Sequence, residues 1–141
     1  MSAPPLVTRI SIMSKFIIQV NGSVYASSAS YNAYRFSKAA LEIGHEIQCV
    51  FFYQDGVLNT SSFNSPASDE FDLTRAWVEL NQKYQIKLIN CVSAALRRGI
   101  LSKNEADELK KDHWNIQAPF VMGGLGELVT GIEKADRLVS F

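Results

Sequence analysis

Five short runs of apolar, β-forming residues alternate with amphipathic helical stripes, and this alternation limits the fold more than any other feature of the chain. Phe16–Val20, Ile47–Tyr53, Ile86–Asn90, Phe120–Met122 and Arg137–Phe141 read as strands. After the first strand, Ala29, Ala33, Phe36, Ala40 and Ile43 share one helix face, stopped by Gly44. Leu73, Ala76, Trp77, Leu80 and Tyr84 form a second stripe, with Ser65-Pro66 upstream as N-cap and first helical residue. Val92–Arg98 reads as helix ended by Gly99, and Ser102-Lys103-Asn104-Glu105 is a capping box opening a helix to about Lys111. Leu125, Leu128, Val129 and Ile132 give the last helical face. Strands separated by helices pair in parallel through right-handed crossovers. The pattern therefore predicts a single α/β domain, doubly wound, with a mainly parallel five-stranded sheet and helices on both faces. In such sheets chemistry gathers at the carboxyl ends of strands, here after Val20, Tyr53 and Asn90.

The polar stretch Gln54–Ser68 is long for a compact domain and reads equally as a binding lid or a solvated loop. Lys+Arg and Asp+Glu number 14 each, so the formal net charge is zero, and the basic surface that direct nucleic-acid or anionic-membrane binding requires is missing. No apolar run reaches membrane-spanning length. Residues 1–13 read as an N-terminal extension, native or not, ahead of a domain over residues 14–141. Residues 1–12 have neither signal-peptide nor transit-peptide character, so a cytoplasmic setting is expected.

The two cysteines have different surroundings. Cys49 lies within a strand between apolar neighbours and reads as an inert, buried thiol. Cys91 stands where a strand ends and a helix begins. Free N–H groups and the positive helix end would favour its thiolate there, with Arg97 and Arg98 nearly two turns on. A thiol so placed and reachable at the surface can attack a persulfide, carry the sulfur, and release it to another thiolate. That reaction requires no metal, redox cofactor or nucleotide. A structural cysteine at a helix start is the bland alternative. Cys91 to Arg97 also has the Cys-x5-Arg spacing of phosphatases, but the residues between are apolar rather than glycine-rich.

Other motifs are weaker. Gly123-Gly124-Leu125-Gly126 lacks the Gly-Lys-Ser/Thr of a phosphate loop and reads as a tight turn opening a helix. His45 reads as part of a turn, and Asp69, Glu70 and Asp72 as helix-start stabilisation or an acidic docking edge. Trp77 reads as core, and Trp114 as an interface anchor.

Several segments together resemble the TusD branch of the DsrE/DsrF-like sulfur-relay proteins. They are Ser65 to Leu73 with Arg75-Ala76-Trp77, Phe51-Phe52-Tyr53 with Gly56-Val57, Cys91-Val92 with Ala94 to Gly99, and Ala135 to Val139. The resemblance runs from about residue 14 to 141. It implies a flavodoxin-like sheet, with Cys91 as the active cysteine and no role for Cys49. It implies a heterohexamer with TusB-like and TusC-like subunits, a TusA-like sulfur donor and a TusE-like acceptor. The sulfur's end use would be 2-thiolation of the tRNA wobble uridine. A DsrE-type role in dissimilatory sulfur oxidation, or a non-catalytic assembly subunit, remains open at this level. The loop Gly22-Ser23-Val24-Tyr25-Ala26 departs from the family pattern, where a Pro and a second Gly are more usual.

Overall fold

The structure, a computed structural model, describes residues 12–141. Most of the expected N-terminal extension, residues 1–11, lies outside the described residues. Strands β1 (Lys15–Val20), β2 (Glu46–Phe52), β3 (Leu88–Cys91), β4 (Phe120–Gly123) and β5 (Arg137–Ser140) form one sheet. Their order is β4-β3-β2-β1-β5, and every adjacent pair is parallel. The helices are α1 (Ala29–Glu42), α2 (Leu73–Tyr84), α3 (Val92–Arg97), α4 (Lys103–Glu108) and α5 (Leu125–Lys134). The α/β class and the parallel sheet agree with the sequence pattern.

The winding follows from the strand order. Each step from β1 to β2, β3 and β4 moves to the next strand in one direction, so right-handed crossovers put the connecting helices on one face. From β4 the chain returns to the far side of β1, the direction reverses, and α5 lies on the opposite face. Phe16 meets Phe36 of α1 edge to face at 5.3 Å, and Phe52 meets Trp77 of α2 at 5.4 Å. On the other face Gly131 of α5 packs so closely that an added Cβ would lie 2.4 Å from Ile17 Cδ1 and 3.6 Å from Cys49 Sγ. Phe16 and Ile17 thus serve opposite layers, as the two-residue period of a strand requires. Trp77, Phe51, Phe52, Ile17 and Ile18 are wholly buried between these layers. Each such side chain stabilises the fold by about 1.5–3 kcal/mol.

Two expectations are corrected, and one helical face is only partly buried. Gln54–Thr60 is neither lid nor solvated loop but a 3-10 helix against the strand ends, with Gly56, Val57, Asn59 and Thr60 buried. Asn59 and Thr60 are inside because they close buried hydrogen bonds, while Gln54 and Asp55 face solvent. Asn59 Nδ2 donates to Ser30 Oγ (3.0 Å) and to the Gly56 carbonyl (2.9 Å), and Asn59 Oδ1 accepts from Trp77 Nε1 (3.3 Å). Asn90 Nδ2 on β3 donates to Thr60 Oγ1 (2.7 Å). Ser65-Pro66 does not open a helix. Helix α2 starts at Leu73, where the apolar stripe starts, and Asp72 Oδ1 caps it by accepting from the Arg75 amide at 3.0 Å. Finally, α5 does not bury its whole apolar face. It docks through Leu128 and Gly131, and leaves Leu125, Val129 and Ile132 at 49%, 55% and 41% exposure.

Candidate active site at Cys91

The chain leaves β3 toward α3, on the side of the sheet that carries α1 and α2, and leaves β4 toward α5 on the other. Diverging connections from adjacent parallel strands open a crevice at their carboxyl ends. Cys91 closes β3, pairs with Gly123 of β4 in the ladder, and is the N-cap residue of α3. The Asn90 side chain bonds to Thr60 on the α1/α2 side, so Cys91, next along the strand, turns toward α5.

There Cys91 lines a pocket of ≈ 230 Å³ together with Tyr53, Ser93, Arg97, Gly124 and Leu125. Its exposure is only 3%, which corrects the expectation of a surface cysteine. The first residues around the start of α5, Gly124 and Leu125, stand in the same pocket wall. The Gly-rich turn is what lets the two strand ends and α5 meet. At Gly123 an added Cβ would lie 2.8 Å from Ile89 Cγ2 and 3.1 Å from Glu127 Cγ. Gly124 is the N-cap of the ten-residue α5, whose unpaired N–H groups carry partial positive charge.

The structure separates the two arginines. Arg97 lines the Cys91 pocket and makes no ion pair among the described residues. Arg98 Nε instead donates to Asp55 Oδ1 at 2.8 Å, and Arg98 Nη1 to the Ala94 carbonyl at 3.1 Å, tying α3 to the 3-10 helix. The residues between Cys91 and Arg97 are ordinary helix, so their amides do not form a phosphate cradle. Tyr53 and Ser93 were not singled out from sequence. Their only signal is position, Tyr53 just past a strand end and Ser93 two residues after the cysteine.

Cys49 is 2% exposed beneath α5. Burial pushes its thiol up from the ordinary 9.0 to about 11, with Lys87 lowering it and Glu127 raising it further. Two outcomes follow. Native protein at pH 8 should leave Cys49 unalkylated by iodoacetamide until denaturant is added, read by peptide mass. The unfolded chain also loses this proton before the folded one does. Stability should therefore fall as pH rises from about 9 toward about 11, and Cys49→Ala should flatten that fall in denaturant titrations.

The remaining expected residues are placed as follows. His45 Nδ1 accepts from the Ser14 amide at 3.0 Å within its turn. Trp77 is core. Trp114 is half-buried, with Lys103 Nζ 5.5 Å from its ring centroid. Among the described residues, no group of three or more His, Cys, Asp and Glu side chains could hold a metal ion. No helix among them is long and apolar enough to cross a membrane.

The fold itself has a solved counterpart. The crystal structure of the ychN protein from E. coli superposes with a TM-score of 0.70 over 92% of this chain and 100% of that one, at 19% identity, and so shares its fold. The DsrE/DsrF-like family model matches residues 14–141, and the chain belongs to that family. Among its relatives is a sulfurtransferase TusD homolog of Vibrio parahaemolyticus, 46% identical over 126 residues, covering 89% of this chain and 96% of that protein. An Allochromatium vinosum protein bearing the name DsrE is 46% identical over 127 residues, covering 90% and 98%. Within its family the chain stands with the sulfurtransferases, as the TusD-type resemblance of its motifs implied.

Proposed function

We propose that this chain relays sulfane sulfur as a persulfide on Cys91. The observation that carries the reading is a cysteine at the switch crevice, in a pocket shared with Arg97, a hydroxyl from Ser93 and the start of α5. In the loading step the Cys91 thiolate attacks the terminal sulfur of a donor persulfide. The donor S–S bond breaks, its thiolate leaves, and Cys91–S–SH forms with the proton kept on the transferred sulfur. In the unloading step an acceptor thiolate attacks that terminal sulfur and Cys91 leaves as thiolate. Neither step changes the overall redox state, so neither calls for an electron carrier.

The donor is a TusA-like carrier and the acceptor a TusE-like protein. The chain works in a heterohexamer with TusB-like and TusC-like subunits in the cytoplasm, and the sulfur ends in 2-thiolation of the tRNA wobble uridine. The naming of relatives supports this route, and the exposed apolar ribbon of Leu125, Val129 and Ile132, with Val121 and Leu138, supports assembly. The balanced charge supports protein partners rather than direct tRNA contact. A second reading, delivery of sulfur to a dissimilatory oxidation system, is favoured by the equally similar DsrE-named relative. The test is discharge. Sulfur-loaded protein, followed by mass, should lose one sulfur atom to a purified TusE-like acceptor. Failure with every acceptor thiol, from a chain that does load, removes the relay role.

Arg97 should bias the pocket toward anions. Iodoacetate, relative to neutral iodoacetamide, should alkylate Cys91 several-fold less efficiently in Arg97→Gln than in the parent, about the scale of one screened charge pair. Arg98→Gln should leave that ratio unchanged.

A further inference from the structure

We propose that the cavity framed by Tyr25, Tyr31, Phe71 and Glu70 receives a basic side chain, a lysine ammonium or arginine guanidinium presented by a protein partner. The cavity has a volume of ≈ 330 Å³ and lies apart from the Cys91 pocket. Its lining is mainly apolar, completed by Val24, Ser27 and Leu73. The three aromatic residues remain 48%, 40% and 49% exposed.

The rings are fixed in place. Phe71 meets Tyr31 edge to face at 5.2 Å, and Tyr25 Oη donates to the Phe71 carbonyl at 3.2 Å. Ring faces are electron-rich and attract organic cations. Glu70 adds a carboxylate to the wall, with Asp69 and Asp72 beside it in sequence. Glu70 Oε1 accepts from the Ala67 amide at 3.2 Å, which holds that carboxylate in position. The negative field reaches the rings. The Tyr25 phenol is pushed up, first by burial and then by Asp72 and Glu70, against a backbone hydrogen bond from Leu73 that lowers it.

The chain also supplies an internal comparison. On the neighbouring cavity, which shares Tyr31 and Phe71, Arg35 stands 5.9 Å from the Tyr31 ring centroid. There the same ring already has a guanidinium. Among the described residues no Lys or Arg lines the first cavity, so a cation held there would come from another molecule. A metal ion is a poor fit, because only one carboxylate lines the cavity and no cluster of three ligating side chains exists among the described residues.

Tyr25 lies in the loop leaving β1 and Phe71 just ahead of α2, whereas Cys91 ends β3 and turns toward α5, so the two pockets are separate sites. The cation site does not rest on the function proposed above.

The test uses the full chain and two probes, N-acetyl-lysine methylamide and its neutral counterpart N-acetyl-norleucine methylamide, followed by NMR. The lysine probe should shift the Tyr25, Tyr31 and Phe71 ring signals saturably and bind about threefold to fivefold more tightly than norleucine. Glu70→Gln should erase that preference, and Phe71→Leu should abolish binding at the cage. Equal binding of the two probes, an unsaturable response, or shifts centred elsewhere would overturn the proposal. Cys91→Ser should keep lysine binding and Glu70→Gln should keep sulfur loading, so the two readings fail separately.

Discussion

Incubated with a protein persulfide donor, the parent chain should gain the mass of one sulfur atom, reversed by a thiol reductant, whereas Cys91→Ser and Cys91→Ala should gain none. The expected loss is total, because no other thiol in the described fold can substitute. The other cysteine, Cys49, is 2% exposed under α5, and its thiol is held at about 11, so the reactive thiolate scarcely forms near neutral pH. Cys49→Ala should therefore load like the parent. Alanine is the better control there, since a serine hydroxyl buried without a partner costs about 1–3 kcal/mol and would confuse folding with chemistry. Circular dichroism of both Cys91 variants confirms that the loss is chemical. Loading that persists in Cys91→Ala, or that moves to Cys49, would sink the assignment.

The second large effect is structural. Gly56→Ala should destabilise the fold by about 3 kcal/mol or more, at the upper end of what overpacking produces. An added Cβ at Gly56 would stand 1.8 Å from the Val20 carbonyl oxygen and 2.6 Å from its carbonyl carbon, both backbone atoms that cannot swing aside. Relief requires withdrawing the 3-10 helix from the end of β1. That withdrawal pulls at Asn59, whose amide joins Ser30, the Gly56 carbonyl and Trp77, and at Thr60, which accepts from Asn90 beside Cys91. Denaturant midpoints measure the effect. Gly126→Ala is the control, since nothing lies within 4 Å of its added Cβ and alanine favours helix, so it should be neutral or stabilising by up to about 1 kcal/mol. A Gly56→Ala midpoint matching the parent would mean the segment is far more yielding than its packing implies.

The strands were legible because their apolar runs are short and bounded by turn residues, and all five appear within one or two residues of the expected places. The order of the sheet was not, since nothing in Arg137–Phe141 says that it pairs beyond β1 rather than beyond β4. Gln54–Ser68 misled because Asn59 and Thr60 look like solvated residues in composition, and only the fold brings Trp77, Ser30 and Asn90 to meet them. The cysteine itself was legible from its place between Asn90 and Val92. Its depth was not, because residues that share its pocket wall, Gly124 and Leu125, come more than thirty positions later. The two arginines were indistinguishable by spacing. Asp55, forty-three positions upstream, decides between them by engaging Arg98.

Leu125 belongs to two surfaces at once, the rim of the Cys91 pocket and the apolar ribbon along α5. Any body seated on that ribbon also stands at the threshold of the thiol. In the proposed relay, a neighbour held on α5 would thus border the entrance to the thiol, and dilution that strips it away would change how readily small alkylating reagents reach Cys91.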